Sequence, residues 1–152
     1  MSTSAVFISY SHKDEKWKDR LVTQLEVLRQ EFEVWTDRDI QAGEFWYQKI
    51  EEALQKAKVA IFLVSANSLT SPFILKEEVV RLLERRDKEG LRIMPIIVAP
   101  CAWQRVEWLA RMQVRPRDGR PLQNMSAGKR DTALMEVVQE VAALLAKSTT
   151  TN

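Results

Sequence analysis

The sequence predicts an α/β domain in which helices cover both faces of a parallel sheet. Three observations lead to this fold class. Short apolar segments alternate along the chain with longer segments of helical periodicity. Residues 59–65, VAIFLVS, are apolar up to the final serine, as expected of a central strand that is buried on both faces. The connections are short, which favours right-handed crossovers between parallel strands.

The first half of the chain supplies two strands and two helices. Residues 5–9, AVFIS, form a short apolar run that is typical of a buried strand. A helix is predicted over 14–30, because a tryptophan and three leucines recur there at helical spacing. A strand from about 32 to 36 alternates apolar and polar residues, and a second helix is predicted from about 43 to 57.

The second half begins with the central strand, and a helix follows over about 71–88 until Gly90 ends it. The next strand, 93–98, contains Pro95, which cannot donate a ladder hydrogen bond and should therefore lie at an edge or a bulge. Asp131 is predicted to cap the last helix. We expect the spatial strand order 2-1-3-4.

The segment between the fourth strand and the last helix is harder to assign. Residues 105–126 are rich in proline, glycine and arginine, and a short fifth strand could form near 112–114. The arginines at 105, 111, 115, 117 and 120 are interpreted as a solvated face. Residues 148–152 are polar and predict a tail or linker, so the domain is expected to span 1–147.

Composition excludes several classes of function. The length of 152 residues fits one domain, and a net charge of +2 is too small to argue for binding of nucleic acid or an anionic membrane. No run approaches the ~20 apolar residues of a membrane helix, and no signal peptide is apparent. Cys101 is the single cysteine, which suits a reducing compartment, so we expect a cytoplasmic protein. With His12 as the single histidine, no metal site is expected.

Ligands of parallel sheets bind outside the carboxyl ends of the strands. Here that rule selects four segments, which are 9–13, 37–43, 65–71 and 99–103. None carries the glycine-rich turn of a dinucleotide fold, a Walker loop, the acidic residues of a phosphorelay receiver or a G-x-S-x-G elbow. Carboxylates remain as the candidate chemical groups, at positions 37, 39, 44, 77 and 78.

Three stretches resemble one protein family in its own order of motifs. They are VFISYSHKDEKW, VWTDRDIQAGEFWYQKIEEALQKAKVAIFLVSANSLTSPFILKEEV and IIVAPCAW. Together they resemble a TIR (Toll/interleukin-1 receptor) domain of the bacterial type, from residue 5 to about 147. The resemblance implies a flavodoxin-like three-layer fold. It further implies either an enzyme that cleaves NAD+ or a non-catalytic scaffold that signals by TIR–TIR assembly. Bacterial members are often the effector domain of a larger antiphage protein.

The enzyme interpretation requires one well-placed carboxylate. Cleavage at the nicotinamide bond expels a neutral base, so a single glutamate facing the developing oxocarbenium ion can supply much of the catalysis. Helical periodicity places Glu78 on the flank of the buried stripe, and Glu77 nearly opposite it in a surface pair with Arg81. The bacterial pattern, counted from Ser71, also selects Glu78. We therefore expect Glu78 to be catalytic and keep Glu77 as the alternative.

The resemblance also implies the remaining site residues. NAD+ is expected as substrate rather than cofactor, at a cleft with Glu78 at its mouth, lined by Tyr10, Ser11, Asp37, Gly43, Phe45, Trp46 and Phe73. Asp37 could bind ribose or simply hold the turn, and Trp46 could line the cleft or pack in the core. The family's BB loop corresponds to Asp37, Arg38, Asp39, Ile40, Gln41, Ala42 and Gly43, and is expected to join TIR domains into a homo-oligomer or filament. The product, ADP-ribose or a cyclic isomer, stays open.

Overall fold

A four-stranded parallel sheet forms the centre of the protein, in a computed structural model that describes residues 4–36 and 46–150, without the side chains of 46, 47 and 147–150. The strands are β1 (Ala5–Ser9), β2 (Glu33–Thr36), β3 (Ala57–Val64) and β4 (Arg92–Ile97). All three pairings are parallel and the order is β2-β1-β3-β4. The predicted strand order is therefore confirmed.

Helices connect the strands. The α-helices are α1 (Glu15–Glu26), α2 (Trp46–Lys56), α3 (Ala66–Leu69), α4 (Val80–Glu89), α5 (Glu107–Ala110) and α6 (Ala127–Thr150). A π-helical segment, Ile74–Val79, leads directly into α4, so that residues 72–89 form one continuous helix. Short 3-10 turns lie at His12–Asp14, Trp103–Arg105 and Leu122–Asn124.

Both faces of the sheet are covered, as predicted. On one face, alternate residues of β1, β3 and β4 pack with α1 and α6 in a core that includes Ile8, Leu21, Ile61 and Val141. On the other face, Phe7 lies in a cluster with residues of α2 and α4. Neighbouring apolar residues of that face, among them Phe62, cluster with the segment after β4.

The last helix begins and ends differently from the prediction. Asp131 was expected to cap it, but α6 starts at Ala127, and the hydroxyl of Ser126 accepts a hydrogen bond from the Lys129 amide at 3.4 Å. Ser126 thus caps the helix one turn earlier, because its hydroxyl satisfies an amide that lacks an intrahelical partner. The helix also continues to Thr150, through residues that were predicted as a polar tail.

Pro95 lies in β4, at the edge of the described sheet, as the sequence suggested. Its carbonyl accepts from the Arg115 amide at 2.8 Å, on the side away from β3. In a strand, the N–H and C=O of one residue point to the same side. The N–H that Pro95 lacks would therefore also point away from β3, and no hydrogen bond of the β3–β4 ladder is lost. The expected fifth strand is reduced to one parallel bridge between Ile96 and Arg115.

The prediction that the arginines of 105–126 form a solvated face is wrong for Arg115. This side chain is buried, and its Nε donates to Oε1 of Glu140 on α6 at 2.8 Å. Its Nη1 also donates to the carbonyls of Gln113 and Val114, at 3.2 and 3.1 Å. The guanidinium therefore fastens the irregular segment to the last helix.

Candidate active site

Glu78 lies within the π-helical segment and is completely enclosed, with 0% of its surface exposed. Ile74 and Leu82, four residues to either side, are also buried, in the two clusters on the α2–α4 face of the sheet. The carboxylate is therefore held between these clusters, close to the carboxyl ends of the strands. Single π-helical turns are uncommon and occur frequently at functional sites.

The π-helical segment changes which residues face the core. A regular helix predicted a buried stripe of Leu75, Val79, Leu82 and Leu83, with Glu78 on its flank at the mouth of a cleft. Instead Leu75 and Leu83 are half-buried, and Glu78 points fully inward. A π turn accommodates one more residue than an α turn, which rotates the preceding side chains around the helix axis.

The alternative carboxylate, Glu77, is half-buried and lies 3.4 Å from Nη1 of Arg81, as predicted for residues four apart. The pair is not a solvated surface contact, however. The Arg81 side chain is 8% exposed, and its Nε also lies 2.8 Å from Oε1 of Glu51 on α2. Glu77 thus contributes to a contact between two helices rather than to the enclosed position.

Ser9 contributes a second buried polar group on the face that carries Glu78. As the last residue of β1, it points to the same side of the sheet as Phe7 and pairs in register with Phe62 of β3. Its Oγ is buried and has no hydrogen-bond partner among the described residues. A buried hydroxyl without a partner is costly and is found where a ligand or water can satisfy it.

The predicted site residues Tyr10 and Ser11 serve the structure in this conformation. The Tyr10 ring is fully buried in the core on the α1–α6 face, opposite Glu78, with the ammonium of Lys18 at 5.5 Å from its centre. The Ser11 hydroxyl accepts from the Lys13 amide at 3.2 Å and caps the 3-10 turn. A role in binding NAD+ stays a prediction for both.

Asp14, at the end of that turn, was missed as a site residue. The residue is 4% exposed, and its carboxylate accepts hydrogen bonds from the Ser65 hydroxyl and, at 2.9 Å, from the Asn67 amide. The sequence suggested only the start of a helix at this position. S-x-x-D, from Ser11 to Asp14, was the available signal, but it is typical of a local cap rather than of a contact across the sheet.

A family model described as the TIR domain matches residues 6–130. The chain belongs to the TIR domain family. The protein y4lF of Sinorhizobium fredii (strain NBRC 101917 / NGR234) is 34% identical over 120 residues, which are 78% of this chain and 37% of that protein. The chain therefore spans little more than a third of this relative's length.

Solved structures of TIR domains share the fold. The TIR domains of the activated Roq1 resistosome that directly recognizes the pathogen effector XopQ superimpose with a TM-score of 0.62 at 18% identity, over 91% of this chain and 99% of that one. The TIR domain of the Toll-related receptor TRR-2 from Hydra magnipapillata gives 0.59 at 19% identity, over 91% and 97%. Together with the observed sheet, this confirms the flavodoxin-like fold class.

Several predicted residues of the TIR domain fall outside the described part. They are Asp37, Gly43 and Phe45, with the rest of the loop 37–43, and the side chain of Trp46, whose backbone opens α2. Phe73 is described and is 42% exposed, at the start of the helix that carries Glu78. Among the described candidates, Glu78 and Ser9 are buried on the same face of the sheet, and Phe73 lies near the solvent.

Cys101 follows the carboxyl end of β4 in the sequence and is half-buried. Burial raises the pKa of its thiol, a hydrogen bond with the Trp103 backbone opposes the rise, and the charge of Asp14 adds to it. The segments that follow β1 and β3 thus meet at the Asp14 carboxylate, whose charge also acts on Cys101 after β4.

Residues 4–36 and 46–150 lack two kinds of feature. No group of three or more histidine, cysteine, aspartate and glutamate residues there could hold a metal ion. Nor does that part of the chain contain a helix of the length and apolarity that crossing a membrane requires.

Proposed function

We propose that this TIR domain cleaves NAD+ at the bond between nicotinamide and ribose, with Glu78 as the catalytic carboxylate. The observation that carries the proposal is the complete enclosure of Glu78 in a π-helical turn near the carboxyl ends of the strands. Carboxylates are almost never fully buried without a functional or a pairing reason. The Ser9 hydroxyl on the same face of the sheet, which is buried without a partner among the described residues, offers a second polar group for a substrate.

The chemistry fits a single carboxylate. When the C1′–N bond breaks, both its electrons pass to the positively charged pyridinium, and nicotinamide leaves as a neutral molecule without needing a proton. The ribose becomes an oxocarbenium ion, which an adjacent carboxylate stabilises most strongly in a site that excludes water. Attack by water then gives ADP-ribose and a proton, and attack by another nucleophile of the same nucleotide gives a cyclic isomer.

The enclosed carboxylate implies that this conformation is a resting state. A ribose cannot contact Glu78 while none of its surface is exposed. We infer that TIR–TIR assembly through the loop 37–43 opens or completes the site, and that the domain acts as a cytoplasmic effector in antiphage defence. NAD+ and further TIR copies are then its partners, and no metal or organic cofactor takes part.

Purified domain incubated with NAD+ tests the proposal by the release of nicotinamide. Glu78→Gln keeps the shape of the side chain and removes its charge, so it should abolish release and leave Tm within a few degrees of wild type. Glu77→Gln, the same change one residue earlier, is the matched control and should retain activity. Loss of activity in Glu77→Gln alone would move the catalytic role to Glu77.

A non-catalytic scaffold is the second candidate. The enclosure of Glu78 fits it as well, because a domain that signals by assembly alone would keep the carboxylate closed to substrate. This candidate predicts that the domain assembles without releasing nicotinamide, and that Glu78→Gln assembles as wild type does. Light scattering and nicotinamide release, measured on the same samples, separate the two.

A further inference from the structure

We propose that Asp14 is a positioning residue for Glu78, which acts by fastening the loop after β3 to the turn after β1. This inference rests on the proposed NAD+ cleavage. Asp14 is buried, and its carboxylate accepts from the Ser65 hydroxyl and from Nδ2 of Asn67, the latter at 2.9 Å. These two contacts join segments that follow adjacent strands of the sheet.

The Asp14 side chain makes this contact instead of capping α1. Asp14 occupies the N-cap position of α1, where an aspartate ordinarily accepts a hydrogen bond from the first turn, yet its side chain makes no capping bond. A capping bond of this kind ordinarily stabilises the start of a helix, because it satisfies a backbone amide that has no intrahelical partner. Within the described residues no lysine or arginine pairs with Asp14, so the α1 dipole and two neutral donors hold the buried charge.

The contact continues through short steps to the helix that carries Glu78. The Ser65 hydroxyl also accepts from the Ser68 amide, and the Ser68 hydroxyl from the Ser65 amide, both at 3.1 Å, which fixes the single turn of α3. Ser71 lies two residues after that turn. Its carbonyl accepts a hydrogen bond from the Leu75 amide at 3.0 Å, and its hydroxyl accepts one from the Ile74 amide at 3.3 Å.

Ser71 therefore begins the helix directly before the π-helical segment. Because each of these steps is a hydrogen bond between near neighbours, a displacement of α3 would move the start of this helix. Glu78 would shift with it, although the hydrogen bonds of the Asp14 side chain go to Ser65 and Asn67 and not to Glu78. An error of about 1 Å in a catalytic group can cost on the order of 100-fold in rate.

The decisive experiment swaps the side chains of Asp14 and Asn67. Asp14→Asn places an NH2 group opposite one of the two donors, Ser65 and Asn67, so that one hydrogen bond is lost. It should lower kcat for nicotinamide release about 10- to 100-fold, with KM within about twofold. In the double variant Asp14→Asn with Asn67→Asp, the new amide can donate to the new carboxylate and accept from Ser65, so kcat should return to within about threefold of wild type. Asp19→Asn, an exposed position on α1, is the matched control and should change neither constant.

Hydrogen–deuterium exchange gives a readout that does not depend on activity. Asp14→Asn should speed exchange of the amides of 72–79 by at least about tenfold, leave α6 unchanged, and be reversed in the double variant. If Asp14→Asn does not fold, Ser65→Ala removes one of the two contacts and serves in its place. Unchanged exchange at 72–79, or a double variant no better than Asp14→Asn, would overturn the inference. If the wild-type protein releases no nicotinamide but Asp14→Asn still speeds exchange at 72–79 and the double variant reverses it, the proposed function is overturned and the contact through Asp14 stands.

Discussion

Arg115 and Glu140 show how one ion pair fixes a segment without regular structure. The guanidinium contacts both carboxylate oxygens of Glu140, through Nε at 2.8 Å and through Nη2. This hydrogen bonding lowers the pKa of the Glu140 carboxyl below its ordinary value of 4.5, burial opposes the shift, and the charges of Arg115 and Arg117 add to it. The pair therefore makes a contribution to stability that depends on pH.

We expect Glu140→Gln to lower the free energy of unfolding by about 1–2 kcal/mol near neutral pH, where a hydrogen bond between charged groups is lost. Because the folded-state pKa is depressed, the contribution is fully present above the unfolded-state value and disappears as pH falls through the folded-state value. In urea titrations at decreasing pH, the difference between the two proteins should thus shrink once the pH falls below the ordinary carboxyl value of 4.5. Glu136→Gln, an exposed position one turn earlier, is the control, and a difference that is equal at every pH would contradict this account.

Some of these residues could be found from the sequence and others could not. Glu78 is predicted by its place on the helix flank, which is a local pattern, and by its spacing from Ser71, which the resemblance to bacterial TIR domains supplies. Its complete burial depends on the π-helical turn, which no local propensity indicates. Asp14 and Arg115 act through partners 51 and 25 residues away along the chain, and single-sequence patterns carry no information about such contacts.

The helix over 72–89 and α2 are joined side by side by a small ion-pair network. The Glu51 carboxylate of α2 lies between two arginines, 2.8 Å from Nε of Arg81 and 2.9 Å from Nη2 of Arg85. Hydrogen bonds to Glu89 and Glu51 raise the pKa of Arg85, although burial opposes this, so its charge is secure. Since α2 follows the loop 37–43, the network connects that loop to the helix of Glu78.

Arg81→Ala should therefore destabilise the domain by on the order of 2–3 kcal/mol, because it removes a buried cation and leaves Glu51 and Glu77 without it. Lys88→Ala, on the same helix, is the matched control. Lys88 is 73% exposed and lies 3.4 Å from Glu84, so its loss should cost less than about 0.5 kcal/mol. Urea denaturation of both variants measures the two effects, and equal costs would show that the Arg81 contacts contribute little.

The sequence predicted the type and order of the elements better than the residues at which they end. The strand order followed from a doubly buried central strand and short connections, which are features of the whole fold class. The first helix was expected to reach residue 30, because Leu28 continues its apolar stripe. It ends at Glu26, and Val27 after it is 77% exposed, since the chain turns there toward β2. Tertiary direction, rather than helical periodicity, decides this end.

At the scale of the whole molecule, we connect the enclosure of Glu78 with assembly through the loop 37–43. The segment 37–43 carries charges of both signs and a glycine, and in the sequence it lies between β2 and α2. A polar head-to-tail contact through it would be weak between isolated domains and would propagate into filaments if its rotation does not close. Assembly could then move α2 and, through Glu51, the helix that encloses Glu78.

This account predicts that nicotinamide release rises faster than linearly with protein concentration and falls at high salt, where screening weakens polar contacts. Gly43→Leu should reduce release without lowering Tm by more than a few degrees. Gly128→Leu is the matched control, because nothing lies within 4 Å of an added Cβ at that position. Light scattering and release rates over a range of concentrations provide the measurement. Release strictly proportional to concentration, from a protein that stays monomeric, would leave the loop as a simple lid over a site complete in one copy.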